Sequence, residues 1–108
     1  MAVSRVARYV KMTAQRGQGD ALATLMVAVA EGLAGTAGCE LYLVNRTVDV
    51  PDEIWVTELW SSQAAVDASL QALQSESGRA RLAEVMALLA QPPQRTDLRP
   101  LGGVGLGG

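Results

Sequence analysis

Residues 54–60 have the sequence IWVTELW, and this segment decides the fold. In an extended chain, successive side chains point to opposite faces of a sheet. One face therefore carries Ile54, Val56, Glu58 and Trp60, and the other carries Trp55, Thr57 and Leu59. Because apolar groups lie on both faces, we predict a strand within a sheet that is covered on both sides.

The flanking segments predict the rest of a four-stranded sheet. Alternating apolar residues indicate strands at Val3–Thr13 and Cys39–Thr47, and a short last strand is expected at Gln94–Leu101. Residues 48–53 are predicted to form a hairpin connection, since Pro51 cannot donate a hydrogen bond to a strand ladder.

Three helices are predicted between the strands, because apolar residues recur there at helical spacing. The stripe of the first helix is Leu22, Leu25, Met26, Val29 and Leu33. Asp20 is predicted as its N-cap, because a carboxylate can accept from the free backbone N–H groups of a helix start.

The other two helices follow the third strand. Ser61 or Ser62 is predicted to cap the second helix, and residues 75–78 are predicted to be a polar break. Pro92–Pro93 is predicted to stop the third helix. The two apolar stripes are Ala65, Val66, Ser69, Leu70 and Leu73, then Leu82, Val85, Met86 and Leu89.

The order strand, helix, strand, strand, helix pair, strand is the βαββαβ pattern of a ferredoxin-like α+β fold. In this fold the helices cover one face of a four-stranded antiparallel sheet. The other face would expose either the set Tyr9, Tyr42 and Trp55 or the side chains opposite to it. A monomer rarely leaves such an apolar patch in water, so we predict a two-fold homodimer that covers it.

Length and charge limit the organisation of the chain and its partners. With 108 residues, we predict one domain over residues 1–101 and a flexible glycine-rich tail over residues 102–108. The net charge is −2 without a long run of Lys or Arg, so nucleic acid is not an expected partner. The sequence has no stretch of 18 apolar residues, so no membrane span is predicted. The single Cys39 cannot form an internal disulfide, which favours a cytoplasmic protein.

The chain contains no histidine, and this absence removes several kinds of chemistry. A His-based metal site, a Ser–His or Cys–His nucleophile pair and a histidine ligand for haem are all excluded. The side chain that most often carries protons near neutral pH is also missing, which favours a non-catalytic role as the alternative to an enzyme.

Three parts of the sequence resemble the antibiotic biosynthesis monooxygenase (ABM) domain family. They are residues 38–42 (GCELY), residues 58–65 (ELWSSQAA) and Pro92–Pro93 before the last strand. The resemblance covers about residues 3–101 and implies a dimeric ferredoxin-like α/β barrel. It also implies oxidation of phenolic, anthrone-like or quinol-like aromatics with molecular oxygen, and with no metal, flavin or haem cofactor.

The sequence departs from the family pattern in two places. Family members often carry a histidine near the position of Ser69 or Ser77, and this chain has none. The haem-degrading branch that shares the fold uses an asparagine in its first strand, where this chain has Arg8. Both departures argue against haem degradation.

Arg8 and Glu58 are the candidate catalytic residues. Arg8 shares a strand face with apolar residues, where a cation needs a partner or a wet cavity. It could stabilise a substrate phenolate, or it could form a structural ion pair with Glu58. Glu58 could act as a general base, or as the partner that fixes Arg8. The resemblance makes Trp60 a flat wall for an aromatic substrate, although a tryptophan here could equally pack the sheet against a helix.

Tyr42 and Asn45 are predicted to help orient the substrate, although a tyrosine on a strand often only packs. Arg79 and Arg81 could meet an anionic substrate at a pocket mouth, but solvated helix charges are the more common situation. We therefore predict a cofactor-independent monooxygenase that acts on a small aromatic molecule. The alternative is a non-catalytic ligand-binding or structural dimer of the same fold.

Overall fold

The structure is a computed structural model that describes residues 4–105. Val3, the predicted start of the first strand, and residues 106–108 of the predicted tail lie outside the described residues. The elements in chain order are β1 (Val6–Thr13), α1 (Gly19–Gly32), β2 (Cys39–Arg46), β3 (Glu53–Trp60), α2 (Gln63–Ala72), α3 (Glu76–Ala87) and β4 (Gln94–Leu98). No helix between residues 4 and 105 has the length and apolar character needed to cross a membrane.

The four strands form one sheet in the order β2-β3-β1-β4, and neighbouring strands run antiparallel. β1 and β3 occupy the centre because a helical crossover carries the chain from each of them to an edge of the sheet. This topology confirms the predicted ferredoxin-like fold. β4 ends at Leu98, earlier than the predicted Leu101, which is 95% exposed.

The core lies between the sheet and the helices. Alternate residues of the two central strands point into it, as the two-residue period of a strand requires. Its buried members are Val10, Met12, Ala14, Leu22, Met26, Ile54, Val56, Val85 and Leu89. Leu22 and Ile54 are fully buried, so α1 packs against the face of β3 that also carries Glu58 and Trp60.

α1 begins at Gly19, so Asp20 lies inside the helix and is not its N-cap. The cap comes instead from Asp52, in the connection between β2 and β3. Its Oδ1 accepts from the Gly19 N–H at 2.9 Å, and its Oδ2 accepts from the Gly17 N–H at 3.1 Å. Asp20 is 93% exposed and forms a surface ion pair with Arg46 at 3.0 Å. The predicted cap was wrong because the acceptor comes from a distant part of the chain.

Serine residues start both of the later helices. The Ser62 hydroxyl caps α2 by accepting from the Ala65 N–H at 3.1 Å, which confirms one of the two predicted caps. The Ser75 hydroxyl caps α3 by accepting from the Gly78 N–H at 3.1 Å. The predicted break at residues 75–78 is therefore the cap and first turn of α3, because serine at this position favours a helix start.

α3 ends at Ala87, well before Pro92–Pro93, so the predicted stop by the two prolines was wrong. The chain returns to the sheet first, and Leu89 lies opposite Ala14 in an isolated antiparallel bridge. Leu89 is buried, as its apolar character suggested, but it packs as an extended residue after the helix.

The face of the sheet that points away from the helices is called the open face. Its cross-strand rows are Leu98–Ala7–Leu59–Leu41, Thr96–Tyr9–Thr57–Leu43 and Gln94–Lys11–Trp55–Asn45. Tyr9 and Trp55 meet there edge to face, with their ring centroids 5.6 Å apart. Tyr42 pairs with Glu58 and points to the helices instead, so the predicted aromatic set of three does not share one face.

Replacing Asp52 by alanine is expected to destabilise the protein by about 1–2 kcal/mol, because the N–H of Gly19 at the start of α1 and the N–H of Gly17 in the preceding turn lose their acceptor. Asp20→Ala is the matched control. It removes an exposed ion pair, which contributes less than about 1 kcal/mol. Both free energies of unfolding are measured by urea denaturation followed by circular dichroism. Equal losses in the two variants would contradict the cap.

Candidate functional site

A cavity of about 190 Å³ lies between the helices and the face of the sheet that they cover. The strands contribute Arg8, Met12, Tyr42, Glu58 and Trp60 to its wall. The helices and the residues that follow them contribute Met26, Val29, Leu33, Ser69, Leu70, Leu73, Arg81, Leu82 and Val85. Arg8, Tyr42, Glu58 and Trp60 were all predicted as site residues, and the structure brings them together around one mostly apolar cavity.

Strand pairing brings these residues together although they are far apart in sequence. Arg8 on β1 is the register partner of Glu58 on β3, and Glu58 is the partner of Tyr42 on β2. Directly paired residues point to the same face, with Cβ atoms about 4.5–5.5 Å apart. Trp60 lies two residues after Glu58 and therefore shares that face.

Glu58 is the buried carboxylate of the cavity, with 6% of its surface exposed. Its Oε1 accepts a hydrogen bond from the indole Nε1 of Trp60 at 2.9 Å. The Nε of Arg8 lies 3.9 Å from the same oxygen, which is an ion-pair distance but too long for a hydrogen bond. These two neighbours offset part of the cost of burying a charge. Trp60 is itself buried, so it packs the sheet and also positions Glu58.

Arg8 lies in the cavity with an unused hydrogen-bond donor. Its side chain is only 13% exposed, and within residues 4–105 its buried Nε has no hydrogen-bond partner. A buried donor without a partner costs about 1–3 kcal/mol. A more open space of about 500 Å³ adjoins the cavity and is lined by Arg8, Tyr42 and Glu58 together with Pro93 and Arg95. A ligand in either space could supply the missing acceptor.

Tyr42 contributes a phenol group to the wall of this cavity. Burial raises the pKa of its phenol above the ordinary value, and the negative charge of Glu58 raises that pKa further. The positive charge of Arg8 lowers the pKa, but this effect is smaller. Tyr42 therefore stays neutral well above physiological pH. It can orient a ligand oxygen, but it is not suited to act as a base.

Asn45 is the predicted site residue that the structure separates from the others. It lies on the open face, where its Nδ2 is 3.4 Å from the Trp55 carbonyl oxygen and 3.4 Å from the Thr57 Oγ1. With Tyr9 and Leu43 it lines a shallow hollow on that side of the sheet. Asn45 and its β2 neighbour Val44 point to opposite faces, so Asn45 does not reach this cavity.

Ser69 is a polar residue of the cavity wall that was not predicted as a site residue. Its hydroxyl donates to the Val66 carbonyl oxygen at 2.7 Å, which satisfies the hydroxyl within α2. Of the two positions at which the family often has histidine, Ser69 lines the cavity and Ser77 is exposed without lining it. The absence of histidine therefore leaves the helical wall of this cavity without a proton carrier.

Arg81 is the second residue that sequence reasoning underrates. The structure places Arg81 in the cavity wall beside Leu82, whereas Arg79 is exposed and does not line the cavity. The sequence feature that could have predicted Arg81 as a cavity residue is its position next to the apolar stripe of α3. That signal is weak, because many surface arginines lie next to an apolar residue.

A family model for antibiotic biosynthesis monooxygenases matches residues 5–81. This match covers more than half of the chain and includes β1, α1, β2, β3 and α2. The chain belongs to the antibiotic biosynthesis monooxygenase (ABM) family, as the resemblance in its sequence implied. The match ends within α3, before the predicted limit at residue 101.

Solved structures agree with this assignment. A Chloroflexus aurantiacus J-10-fl protein, provisionally assigned as an antibiotic biosynthesis monooxygenase, is 35% identical, and the alignment covers 96% of this chain and 100% of that one with a TM-score of 0.78. Rv0793 from Mycobacterium tuberculosis is 26% identical over 94% of this chain and 99% of its own, with a TM-score of 0.77. A Caulobacter crescentus CB15 protein with the same provisional assignment is 17% identical over 93% and 92%, with a TM-score of 0.79, and supports the fold alone. None of the curated proteins matches the sequence.

Tyr42 should ionise only above the ordinary tyrosine range near pH 10. Its tyrosinate absorbance is isolated as the difference between wild type and Tyr42→Phe in an ultraviolet titration. Because the unfolded chain releases this proton first, wild-type stability should fall relative to Tyr42→Phe as the pH rises past about 10. Glu58→Gln should move the ionisation to lower pH, since one charge that raises the pKa is removed. Ionisation in the ordinary range would contradict the burial of Tyr42 beside Glu58.

Proposed function

We propose that the chain is a cofactor-independent monooxygenase that oxidises a small phenol, anthrone or quinol-like aromatic with molecular oxygen. The observation that carries this proposal is the buried carboxylate of Glu58 next to the unsatisfied Nε of Arg8 in an apolar cavity. Membership of the family and likeness to a protein assigned to the same reaction type support it.

The cavity suits a small, flat molecule. Its volume of about 190 Å³ is below the range of about 300–1,000 Å³ that is usual for drug-sized ligands, so the cavity alone fits one or two fused rings, and the adjoining space of about 500 Å³ would take the third ring of an anthrone. The indole of Trp60 offers a flat wall for such a ring, and the aliphatic side chains bury the rest. The neutral hydroxyl of Tyr42 would donate to an oxygen on the ring.

Glu58 would perform the first chemical step by taking a proton from a ring hydroxyl or an acidic ring carbon. Within residues 4–105, both contacts of its carboxylate, to Trp60 and to Arg8, involve Oε1. Oε2 is therefore the oxygen that would accept the substrate proton. The Nε–H of Arg8 would then stabilise the substrate anion, and this effect is stronger in a cavity of low dielectric than in water.

The substrate anion would be the electron donor for oxygen. Electron transfer to O₂ followed by bond formation gives a peroxide on a ring carbon. Loss of water from this peroxide leaves a quinone carbonyl. One oxygen atom stays in the product, and the other leaves as water with two hydrogen atoms from the substrate. The reaction therefore balances without an external reductant.

A non-catalytic ligand-binding or structural dimer is the second candidate. The contacts that Arg8 and Trp60 make with Glu58 favour it, because buried charged groups that hold one another often serve structure. Haem degradation is disfavoured, since the chain has no histidine and the cavity of about 190 Å³ is small for a porphyrin.

Purified, metal-free protein should consume oxygen with an anthrone or a polycyclic phenol, above the rate of a heat-killed control. Glu58→Gln is expected to lower kcat/KM by about 10²–10⁴-fold through loss of the general base. The matched control is Glu84→Gln, which changes an exposed carboxylate of α3 outside this cavity. If no member of a broad substrate panel raises oxygen uptake while aromatic ligands still bind, the non-catalytic candidate replaces the enzyme.

We propose in addition that a second copy of the chain covers the open face about a two-fold axis. Tyr9, Leu41, Leu43 and Leu98 on this face are each 41–48% exposed. The positive charge of Lys11 is balanced there, because its Nζ lies 3.8 Å from Glu53 and 5.8 Å from the centre of the Trp55 ring. A flat apolar patch with little net charge is self-complementary, which is what an isologous dimer requires.

Light scattering at micromolar concentration is expected to give twice the chain mass of 11.3 kDa. Leu43→Lys should shift the protein toward the monomer, because two unpaired charges would be buried in the interface. Val27→Lys, at a 45% exposed position on α1, is the matched control and should leave the mass unchanged. A wild-type mass near 11.3 kDa would contradict the proposed dimer.

A further inference from the structure

The charged residues that line the cavity and the space beside it are unequal in number. The guanidinium groups belong to Arg8, Arg81 and Arg95, and Glu58 supplies the carboxylate in the same lining. A surplus of positive charge in a concave, mostly apolar site attracts anionic ligands. The charges of the cavity walls therefore favour a substrate with a negative charge.

The three arginines differ in how far the chain neutralises them. The Nε of Arg95 lies 3.1 Å from Asp97 in an exposed ion pair, and the Nε of Arg8 lies 3.9 Å from Glu58. Within residues 4–105, no carboxylate lies at ion-pair distance from Arg81. Arg81 is therefore the cation of the cavity whose partner must come from water or from a ligand.

Arg81 and Arg8 occupy different depths of the cavity. Arg81 is an exposed residue of α3 that also lines the cavity, so it lies at the rim. Arg8 is 13% exposed and reaches the cavity from the sheet. Apolar residues such as Met26 and Leu70 line the same space. An aromatic ring with its hydroxyl at Arg8 and Glu58 could therefore direct a second polar group toward Arg81.

We propose that the substrate is a hydroxylated aromatic acid, and that Arg81 selects it by binding a carboxylate at the end opposite the reacting hydroxyl. This inference rests on the proposed function, because it takes the cavity as the substrate site. A guanidinium can bind a carboxylate through two parallel N–H···O bonds, which gives directional selection that a lysine cannot reproduce.

Arg79 provides a matched control on the same helix. It is exposed and does not line the cavity. Two residues on an α-helix are separated by about 200° around its axis, so the side chains of Arg79 and Arg81 leave it in nearly opposite directions. Neutralising either residue changes the net charge by the same amount. A difference between the two variants in the binding of an anionic ligand therefore reports a specific contact with Arg81.

Binding is measured by titration calorimetry with 6-hydroxy-2-naphthoate and with its methyl ester. The two probes share the rings and the hydroxyl and differ in the charge of one group. Wild type is expected to bind the acid about fivefold more tightly than the ester, as suits one partly exposed charge-assisted contact. Arg81→Gln should lose this preference, Arg79→Gln should keep it, and Arg81→Lys should keep only part of it.

Three results would overturn the inference: no preference of wild type for the acid, no binding of either probe, or an equal loss of preference in Arg79→Gln and Arg81→Gln. Unchanged binding of the ester by Arg81→Gln shows that the variant is folded. The test is separate from turnover. If the protein oxidises neutral phenols but does not prefer the acid, the inference about Arg81 fails and the proposed oxidation stands. If the protein prefers the acid but no substrate raises oxygen uptake, the proposed oxidation fails and the binding preference stands.

Discussion

The antiparallel register between β1 and β3 is the constraint on which the rest of the molecule depends. It places Arg8 opposite Glu58 and Val10 opposite Val56, with all four side chains on the face that the helices cover. A slip of β1 by one residue would turn Val10 and Arg8 to the open face and Tyr9 into the core. Burial of Val10 and Met12 opposes such a slip, because each buried side chain of this size is worth about 1.5–3 kcal/mol.

The same register forces polar groups to the edge of an apolar core. Glu58 is buried, yet among residues 4–105 its partners are one hydrogen bond from Trp60 and a long ion pair with Arg8. A core selected for stability alone would satisfy or replace these groups, since incomplete polar networks are costly when buried. The low dielectric that makes them costly also raises the pKa of Tyr42 and would strengthen their hold on a charged substrate.

The two faces of the sheet have different surfaces because side chains alternate along each strand. The helix-covered face holds the carboxylate and the guanidinium of the candidate site, and the open face holds the edge-to-face pair of Tyr9 and Trp55. A second copy packed on the open face of this chain would hold β1 and β3 in register. It would not enter the cavity, which lies on the other side of the sheet. Dimer formation and ligand binding would then use the same two strands from opposite sides.

The sequence by itself determined the order of strands and helices, the sharing of one face by Glu58 and Trp60, and the family, because alternation, helical spacing and short motifs act over a few residues. Only the tertiary structure placed Arg8 and Tyr42 on either side of Glu58, decided that the face of β2 with Asn45 is the one turned away from the helices, and brought Arg81 to the cavity. The tertiary structure also showed that Asp52 accepts the hydrogen bond from the first N–H of α1. These are contacts between distant segments, and they depend on which strands pair and which helix packs above them, which no local pattern encodes.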